Sequence, residues 1–170
     1  TPCTDFGGIL GILFQNAIPV FADLDPQSFC LDPVSVEACI TPRTRAILAT
    51  HLFGGLADID ALKAIGDRHG IPVIEDCAQA QLAELADGRL AGTIGQIGCF
   101  SFNNTKHLNC GEGGMVITND DALARRARLF ADKAWPREEE QRYSLFLGQN
   151  YRLNELEGAV ALVGLRRLDE

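Results

Sequence analysis

Three side chains in the sequence are of types that could act together on a small molecule: Asp76, Ser101 and Lys106. Lys106 lies in the stretch FSFNNTKHLNCGEGG, between an apolar run that ends at Phe102 and a glycine-rich turn at 111–114. A lysine in a loop is ordinarily a solvated surface cation, and that is the plainest interpretation of Lys106. The alternative is a nucleophilic amine held at the mouth of a site.

Asp76 directly follows a short apolar run in the stretch IPVIEDCAQA at 71–80. Ligands of open parallel sheets bind beyond the carboxyl ends of the strands, so an acid at this place is a candidate site residue. Because side chains alternate across a strand, only one of Glu75 and Asp76 should face that crevice. The plainer interpretation is that Asp76 only starts a turn, as aspartate often does.

Together these residue types suit one chemistry. A lysine amine can form an imine with an aldehyde cofactor, and a carboxylate can keep the ring nitrogen of that cofactor protonated. A serine hydroxyl and backbone amides, which glycines leave open to close approach, can hold a phosphate. The sequence therefore predicts pyridoxal 5'-phosphate bound by Asp76, Ser101 and Lys106.

The elements that must position these residues alternate between strand and helix. Apolar runs predict strands at 18–25, 45–53, 71–74, 97–102 and 113–119. Apolar spacing and capping residues predict helices at 6–14, 32–40, 58–70, 120–131 and from 152 onward. Strand–helix–strand alternation is typical of a parallel sheet with helices on its faces, so we expect an α/β fold with a mostly parallel sheet.

Composition excludes several classes of protein. The 170-residue chain has a formal charge of −8 and no basic run, which argues against nucleic acid and anionic membrane surfaces as partners. No apolar run approaches the roughly 20 residues of a membrane span, and no signal peptide opens the chain. The six cysteines form no C-x-x-C pair, so we expect no metal site and predict buried thiols of a cytoplasmic protein.

An apolar stripe follows the surface excursion predicted at 132–150. Its members, at helix spacing, are Leu153, Leu156, Val160 and Val163. Such a stripe predicts packing in the core or against a second subunit. The start at Thr1-Pro2, close to a predicted helix, suggests a fragment.

Four stretches carry a family resemblance: IEDCAQA, FSFNNTKHLNCGEGG, HLFGGLADIDAL and LGQNYRLNELEGAVAL. They resemble the DegT/DnrJ/EryC1/StrS aminotransferases, fold-type I pyridoxal-phosphate enzymes that aminate keto-sugars, and the likeness runs from about Pro19 to Glu170. The resemblance implies a three-layer α/β large domain with a mostly parallel sheet. Residues 1–170 would be a fragment of that domain, with the phosphate-loop segment before Thr1 and a small C-terminal domain after Glu170.

The resemblance also implies a role for each motif residue. Lys106 matches the lysine that holds the cofactor as an internal aldimine and then shuttles protons, and Asp76 matches the carboxylate that pairs with the pyridine nitrogen. Gln79 matches an amide near the phenolic oxygen, Ser101 a phosphate ligand, and Asn150 an asparagine that reaches the phosphate in the neighbouring subunit. Members of the family are homodimers with shared active sites. Lysine at 106, where dehydratase relatives have histidine, favours amination.

Two departures from the family pattern bear on activity. Gln81 and Leu82 replace a common His-Gly pair, so a polar contact near the substrate would be missing, and Asp5-Phe6 displaces the aromatic residue that covers the cofactor ring. A non-catalytic or truncated protein of this fold with a binding or regulatory role is therefore an alternative. A Rossmann-type nucleotide binder ranks last, because no G-x-G-x-x-G follows a strand.

Three phrases resemble the family branch that acts on cyclitol ketones such as scyllo-inosose: NAIPVFADLD, FADKAWPR and FLGQNYRLNELEGAVAL. A nucleotide-linked keto-sugar is the other candidate substrate. Both substrates would receive the amino group from glutamate or glutamine.

Overall fold

The computed structural model describes residues 1–138, 140 and 143–168, and the chain forms two compact units, one from Thr1 to Ser101 and one that begins at Phe102. The first unit contains α1 (Gly7–Phe14), α2 (Pro33–Cys39), β1 (Ile47–Thr50), α3 (Ile59–His69), β2 (Val73–Asp76) and β3 (Ile97–Ser101). The second unit contains β4 (Gly114–Ile117), α4 (Asp121–Ala131) and α5 (Glu155–Arg166).

The sheet of the first unit is parallel, as the alternation of strands and helices predicts. β1 pairs with β2, with Thr50 opposite Asp76, and β2 pairs with β3, with Asp76 opposite Cys99. All three strands therefore end at the same edge, and Ser101 lies two positions beyond the residue opposite Asp76. The candidate residues Asp76 and Ser101, which end strands, and Gln79, which follows one, therefore lie along this carboxyl edge.

The helix α3 connects β1 to β2 and has local signals at both ends. Asp58 accepts a hydrogen bond from the amide of Ala61 at 3.0 Å, and Gly70 ends the helix with φ +64°. Ile59, Leu62 and Ile65 form its buried face and pack in the main core with β1 and β2. Both helix ends lie within a residue of those that the sequence predicts.

One predicted strand is wrong. Residues 18–25 are β-branched and apolar, yet they form no strand and make only an isolated antiparallel bridge between Leu24 and Leu31. Ile18 is 82% exposed and Val20 is 69% exposed. A β-rich composition does not make a strand unless a neighbouring backbone offers a ladder, and no described strand of this unit pairs with the segment.

The second unit contains the predicted strand at β4 and both predicted helices. Asp120 caps α4 through the amides of Ala122 and Leu123, and Asn154 forms a capping box with Glu157 at the start of α5. The excursion at 132–150 is irregular, and residues 139, 141 and 142 of it lie outside the described residues.

The apolar stripe of α5 is not buried. Leu156 is 81% exposed, and none of the described residues of α5 is buried. Of the two alternatives that the stripe predicts, packing in the core is not seen among the described residues, and packing against a second subunit stays a prediction. No described helix is both long enough and apolar enough to cross a membrane.

Candidate active site

Asp76, the last residue of β2, carries a half-buried carboxylate at the carboxyl edge. Its Oδ1 accepts a hydrogen bond from the amide of Ala78 at 3.1 Å, so the residue does start a turn. Its Oδ2 lies beside the first turn of α1, where a methyl group added at Gly8 would be 3.4 Å from it. Asp76 therefore uses one oxygen for the turn and keeps a second oxygen for another partner.

Gln79 lies in the turn that follows β2. Its Oε1 accepts a hydrogen bond from the amide of Phe53 at 2.9 Å, which ties the turn to the loop after β1. Its amide nitrogen makes no hydrogen bond to any residue in the described part of the chain. The side chain is thus oriented by the loop and has a donor group available.

Ser101 ends β3, and its backbone carbonyl accepts a hydrogen bond from Nε2 of Gln81 at 2.6 Å. The residue that replaces the family's histidine therefore fixes the end of the neighbouring strand. Leu82, which replaces the glycine, has φ +58° and is 55% exposed. That backbone conformation suits glycine and strains a side chain with a Cβ atom.

Glu75 is completely buried, whereas Asp76 is not, so the expectation that the two acids face opposite ways is confirmed. Burial raises the pKa of Glu75, but hydrogen bonds from His51 and from the amides of Gly95, Gly92 and Ile94 outweigh burial and hold the pKa below its usual value. The carboxylate is therefore ionised inside the core.

His51, Glu75 and Cys77 are close enough together to suggest a metal site. However, Nε2 of His51 lies 3.1 Å from Oε2 of Glu75, and Nδ1 accepts a hydrogen bond from the amide of Ala57 at 3.1 Å. Burial and nearby negative charge raise the pKa of the Cys77 thiol, which keeps it protonated. Because both ring nitrogens of His51 are engaged in hydrogen bonds, His51 and Glu75 form a hydrogen-bonded pair in the core beside Cys77.

Cys99, opposite Asp76 on β3, is not a nucleophile. Burial and the charge of Asp76 raise the pKa of its thiol to about 11. All six cysteines are free, so the carboxyl edge carries no disulfide.

Lys106 lies in a loop of the second unit whose backbone is held locally. Its amide donates to the carbonyl of Asn103 at 2.9 Å, and its carbonyl accepts from Nδ2 of Asn109 at 3.2 Å. The side chain is half-buried, and its ammonium group makes no hydrogen bond or ion pair with the described residues.

Asn150, also in the second unit, pairs with Asp132 in an isolated antiparallel bridge. Hydrogen bonds from the amide of Lys133 to the carbonyl of Gln149 and from the amide of Tyr151 to the carbonyl of Ala131, at 2.7 and 2.8 Å, hold the two segments together. Asn150 is exposed to solvent. Its position is therefore fixed through the backbone.

Sequence reasoning did not find the roles of Glu75, His51 and Asp132. Glu75 could have been found, because an acid in the middle of an apolar strand must have buried donors if its neighbour Asp76 takes the exposed face. His51 and Asp132 carry no comparable local signal, because Glu75 lies 24 residues from His51 and Arg152 lies 20 residues from Asp132.

The donor set can be compared with what pyridoxal 5'-phosphate requires. The cofactor needs an anion beside its ring nitrogen and a hydrogen-bond donor beside its phenolic oxygen. It also needs hydroxyl and amide groups around its phosphate, and an amine that can bond to its aldehyde. The first unit offers Oδ2 of Asp76, the amide nitrogen of Gln79 and Ser101 along one sheet edge, and the second unit offers the amine of Lys106. The residue types fit the group.

The parallel α/β sheet of the first unit, with an acid at a strand end, agrees with the fold-type I pyridoxal-phosphate class that the sequence predicts. Residues 1–170 match the DegT/DnrJ/EryC1/StrS aminotransferase family, and the chain belongs to this family.

Relatives with assigned names agree with this membership. The L-glutamine:2-deoxy-scyllo-inosose aminotransferase of Streptoalloteichus tenebrarius is 47% identical over 168 residues, which are 94% of this chain and 39% of that protein. A pleiotropic regulatory protein of Geobacillus stearothermophilus is 42% identical over 99% of this chain and 45% of its own length. The chain therefore spans about two fifths of the length of these relatives.

Among solved structures, the sugar aminotransferase CalS13 from Micromonospora echinospora superposes with a TM-score of 0.93 at 33% identity. The likeness covers 99% of this chain and 48% of that chain. The predicted fold class, an α/β fold of the pyridoxal-phosphate transferase type, is thereby confirmed.

Proposed function

We propose that residues 1–170 are part of the cofactor-binding large domain of a pyridoxal-phosphate-dependent aminotransferase. Membership of the aminotransferase family supports this proposal. The observation that carries it is that the family's acid and lysine are both present, as a half-buried strand-end carboxylate at Asp76 and a half-buried amine at Lys106 that makes no ion pair with the described residues. The phosphate-loop segment and the small domain of the enzyme would lie outside this chain.

Pyridoxal 5'-phosphate, when bound, supplies an electron-withdrawing ring that stabilises negative charge on the substrate carbon. In this proposal, Oδ2 of Asp76 would hold the proton on the ring nitrogen of the bound cofactor, and the amide nitrogen of Gln79 would donate to its phenolic oxygen. Ser101 would bind the phosphate. Lys106 would hold the aldehyde covalently, and its amine would move a proton to or from the substrate carbon.

The proposed reaction transfers an amino group from glutamine or glutamate to a ketone. A relative named for L-glutamine and 2-deoxy-scyllo-inosose, 47% identical, favours a keto-cyclitol such as scyllo-inosose as the acceptor. The similarity to the sugar aminotransferase CalS13 supports the second candidate, a nucleotide-linked keto-sugar.

The proposed enzyme is a cytoplasmic homodimer with shared active sites. Exposed apolar side chains on α5, such as Leu156 and Val160, support a contact between subunits. Asn150 would then reach the phosphate in the neighbouring subunit. Six free thiols suit a reducing compartment.

Borohydride reduction of the complete protein tests the proposal. We expect visible absorbance that reduction bleaches, and a peptide that carries the reduced cofactor on Lys106 by mass spectrometry. The variant Lys106→Ala should lose the label, whereas Lys63→Ala, which removes a half-buried lysine paired with Asp67, should keep it. A label on another lysine, or none, would contradict the proposal.

A second candidate function is a non-catalytic, regulatory protein of the same fold. The relative named as a pleiotropic regulatory protein, 42% identical, favours it, as do the departures at Asp5 and at Gln81 and Leu82. Stoichiometric cofactor binding without any half-reaction with glutamine or glutamate would support this candidate over the first.

A further inference from the structure

Glu75 is an ionised carboxylate enclosed in the core beside the candidate site. Its Oε1 accepts hydrogen bonds from the amides of Ile94 and Gly95 at 2.8 and 2.6 Å. Its Oε2 accepts from the amide of Gly92 at 2.8 Å and lies 3.1 Å from Nε2 of His51. Four donors from two separate loops therefore converge on one side chain that the proposed chemistry does not use.

We infer that Glu75 is a positioning residue that holds the turn of Asp76 and Gln79 in the geometry needed for the cofactor. The inference rests on the proposed function. Glu75 touches neither cofactor nor substrate in this proposal, and it acts by fixing the loop after β1 and the loop at 92–95 to the end of β2.

The first of these connections passes through His51. Because Nδ1 of His51 accepts from the amide of Ala57, the ring proton is on Nε2, which then donates to Glu75. The imidazole thus spans the loop from Glu75 to Ala57. Within that loop, the amide of Phe53 donates to Oε1 of Gln79, so the connection ends on a candidate cofactor ligand.

The second connection passes through Gly92, which packs against the residue that follows Asp76. A methyl group added at Gly92 would lie 3.1 Å from Sγ of Cys77 and 2.5 Å from Cζ of Phe100. The loop therefore lies directly on the end of β2 and on β3. Glu75 holds it there through three backbone amides.

Only a carboxylate satisfies this arrangement, because all four neighbours are donors. A glutamine at position 75 has one oxygen, so its amino group would face two donors in either orientation. One orientation opposes His51 and Gly92, and the other opposes Ile94 and Gly95. A buried donor without an acceptor lowers the free energy of unfolding, so Glu75→Gln should make at least one of the two loops open more often.

The test uses Glu75→Gln in the complete protein, with Val73→Ala as the matched control. Val73 is completely buried on the same strand, and its side chain takes no part in the hydrogen bonds to Glu75. Both substitutions should lower the free energy of unfolding, but only Glu75→Gln removes acceptors of the hydrogen bonds to the two loops. Comparing the variants therefore separates a general loss of stability from the loss of those hydrogen bonds. Amide hydrogen exchange of the cofactor-free protein is followed in peptides that cover 51–57 and 91–96.

In Glu75→Gln we expect exchange in one or both peptides to accelerate by about tenfold or more beyond that in Val73→Ala. We also expect the dissociation constant for pyridoxal 5'-phosphate to rise by about tenfold relative to the control. Equal exchange in the two variants, or equal cofactor affinity, would overturn the inference.

A second variant, His51→Leu, is similar in size and cannot form hydrogen bonds, and it isolates the first connection. It should accelerate exchange at 51–57 and leave 91–96 close to wild type. Equal acceleration of both peptides would contradict two separate connections. If the wild-type protein binds no pyridoxal 5'-phosphate, the proposed function fails, and the exchange pattern still decides whether Glu75 anchors the loops.

Discussion

The carboxylate of Asp132 accepts a hydrogen bond from Nη1 of Arg152 at 2.7 Å, across 20 residues of sequence. It also accepts hydrogen bonds from Arg137, and its side chain is only 15% exposed. Hydrogen bonding with Arg137 and the positive charges around the carboxyl hold the pKa of Asp132 below its usual value. Since Asn150 pairs with Asp132 through the backbone, this ionic group fixes the chain on which Asn150 lies.

We expect Asp132→Asn to loosen the segment around Asn150 without unfolding the helix α4. The amide cannot replace an anion that several cationic groups share, so exchange at the amides of Lys133 and Tyr151 should accelerate several-fold. Amide exchange measures this change. Asp67→Asn, which removes only an exposed ion pair with Lys63, is the control and should leave those amides unchanged.

Replacing Leu82 by glycine should stabilise the protein. Leu82 has φ +58° and is largely exposed, so Leu82→Gly relieves backbone strain and loses little packing. We expect a gain of about 0.5–1 kcal/mol in the free energy of unfolding, measured with urea.

The reverse substitution, at Gly88, tests the same explanation, backbone strain at a positive φ. Gly88 has φ +85° and open space around it, so Gly88→Ala adds strain without a clash. It should cost about 1 kcal/mol. If both substitutions shift stability in the same direction, backbone strain is not the cause.

Substitution by alanine should change the free energy of unfolding in opposite directions at two helical glycines. At Gly66 a Cβ atom would lie 2.6 Å from the carbonyl oxygen of Ile71, so Gly66→Ala should destabilise the protein by about 1–3 kcal/mol. At Gly158 a Cβ atom would meet nothing within 4 Å, so Gly158→Ala should stabilise α5 by up to about 1 kcal/mol. Urea unfolding of the two variants checks the pair, and a stabilised Gly66→Ala would refute the close approach.

The ionised Glu75 predicts how stability depends on pH. Its pKa in the folded protein is below the value of about 4.3 in the unfolded chain, so the unfolded state binds more protons in acid. The contribution of Glu75 is complete above about pH 5 and is lost as the pH falls through the folded pKa. Among the described residues, the titratable groups that face it are His51 and Cys77. The exposed carboxylates elsewhere titrate in both wild type and variant.

We therefore expect the unfolding free energy of wild type to fall more steeply than that of Glu75→Gln between pH 5 and pH 3, over roughly the range where carboxylates titrate. Urea midpoints at a series of pH values measure the two slopes. Parallel slopes would show that the carboxyl of Glu75 has the same pKa in the folded and unfolded chain.

Much of the fold was predictable because its signals are local. The caps Asp58 and Asp120 each start a helix where the sequence predicts one, and Gly70 ends one. The helix predicted from 152 onward begins later, at Glu155 after the cap Asn154. The predicted strand at 18–25 failed because pairing depends on a neighbouring backbone that composition does not reveal.

The candidate site divides in the same way. The chemical types and spacing of Asp76, Ser101 and Lys106 indicate the cofactor, because imine formation and ring protonation need those groups wherever the chain places them. The family membership that follows from the same motifs is confirmed. The roles of these residues stay predictions.

The sequence alone therefore determined the parallel α/β alternation, the helix ends and the chemistry that the motif residues can perform. Only the tertiary structure decided that Glu75 is the buried acid and that His51 and loop amides at 92–95 donate hydrogen bonds to it. The same holds for the backbone pairing of Asp132 with Asn150. The physical reason is that a buried charge needs several donors at once, and these donors meet only after strands and loops distant in sequence have packed together.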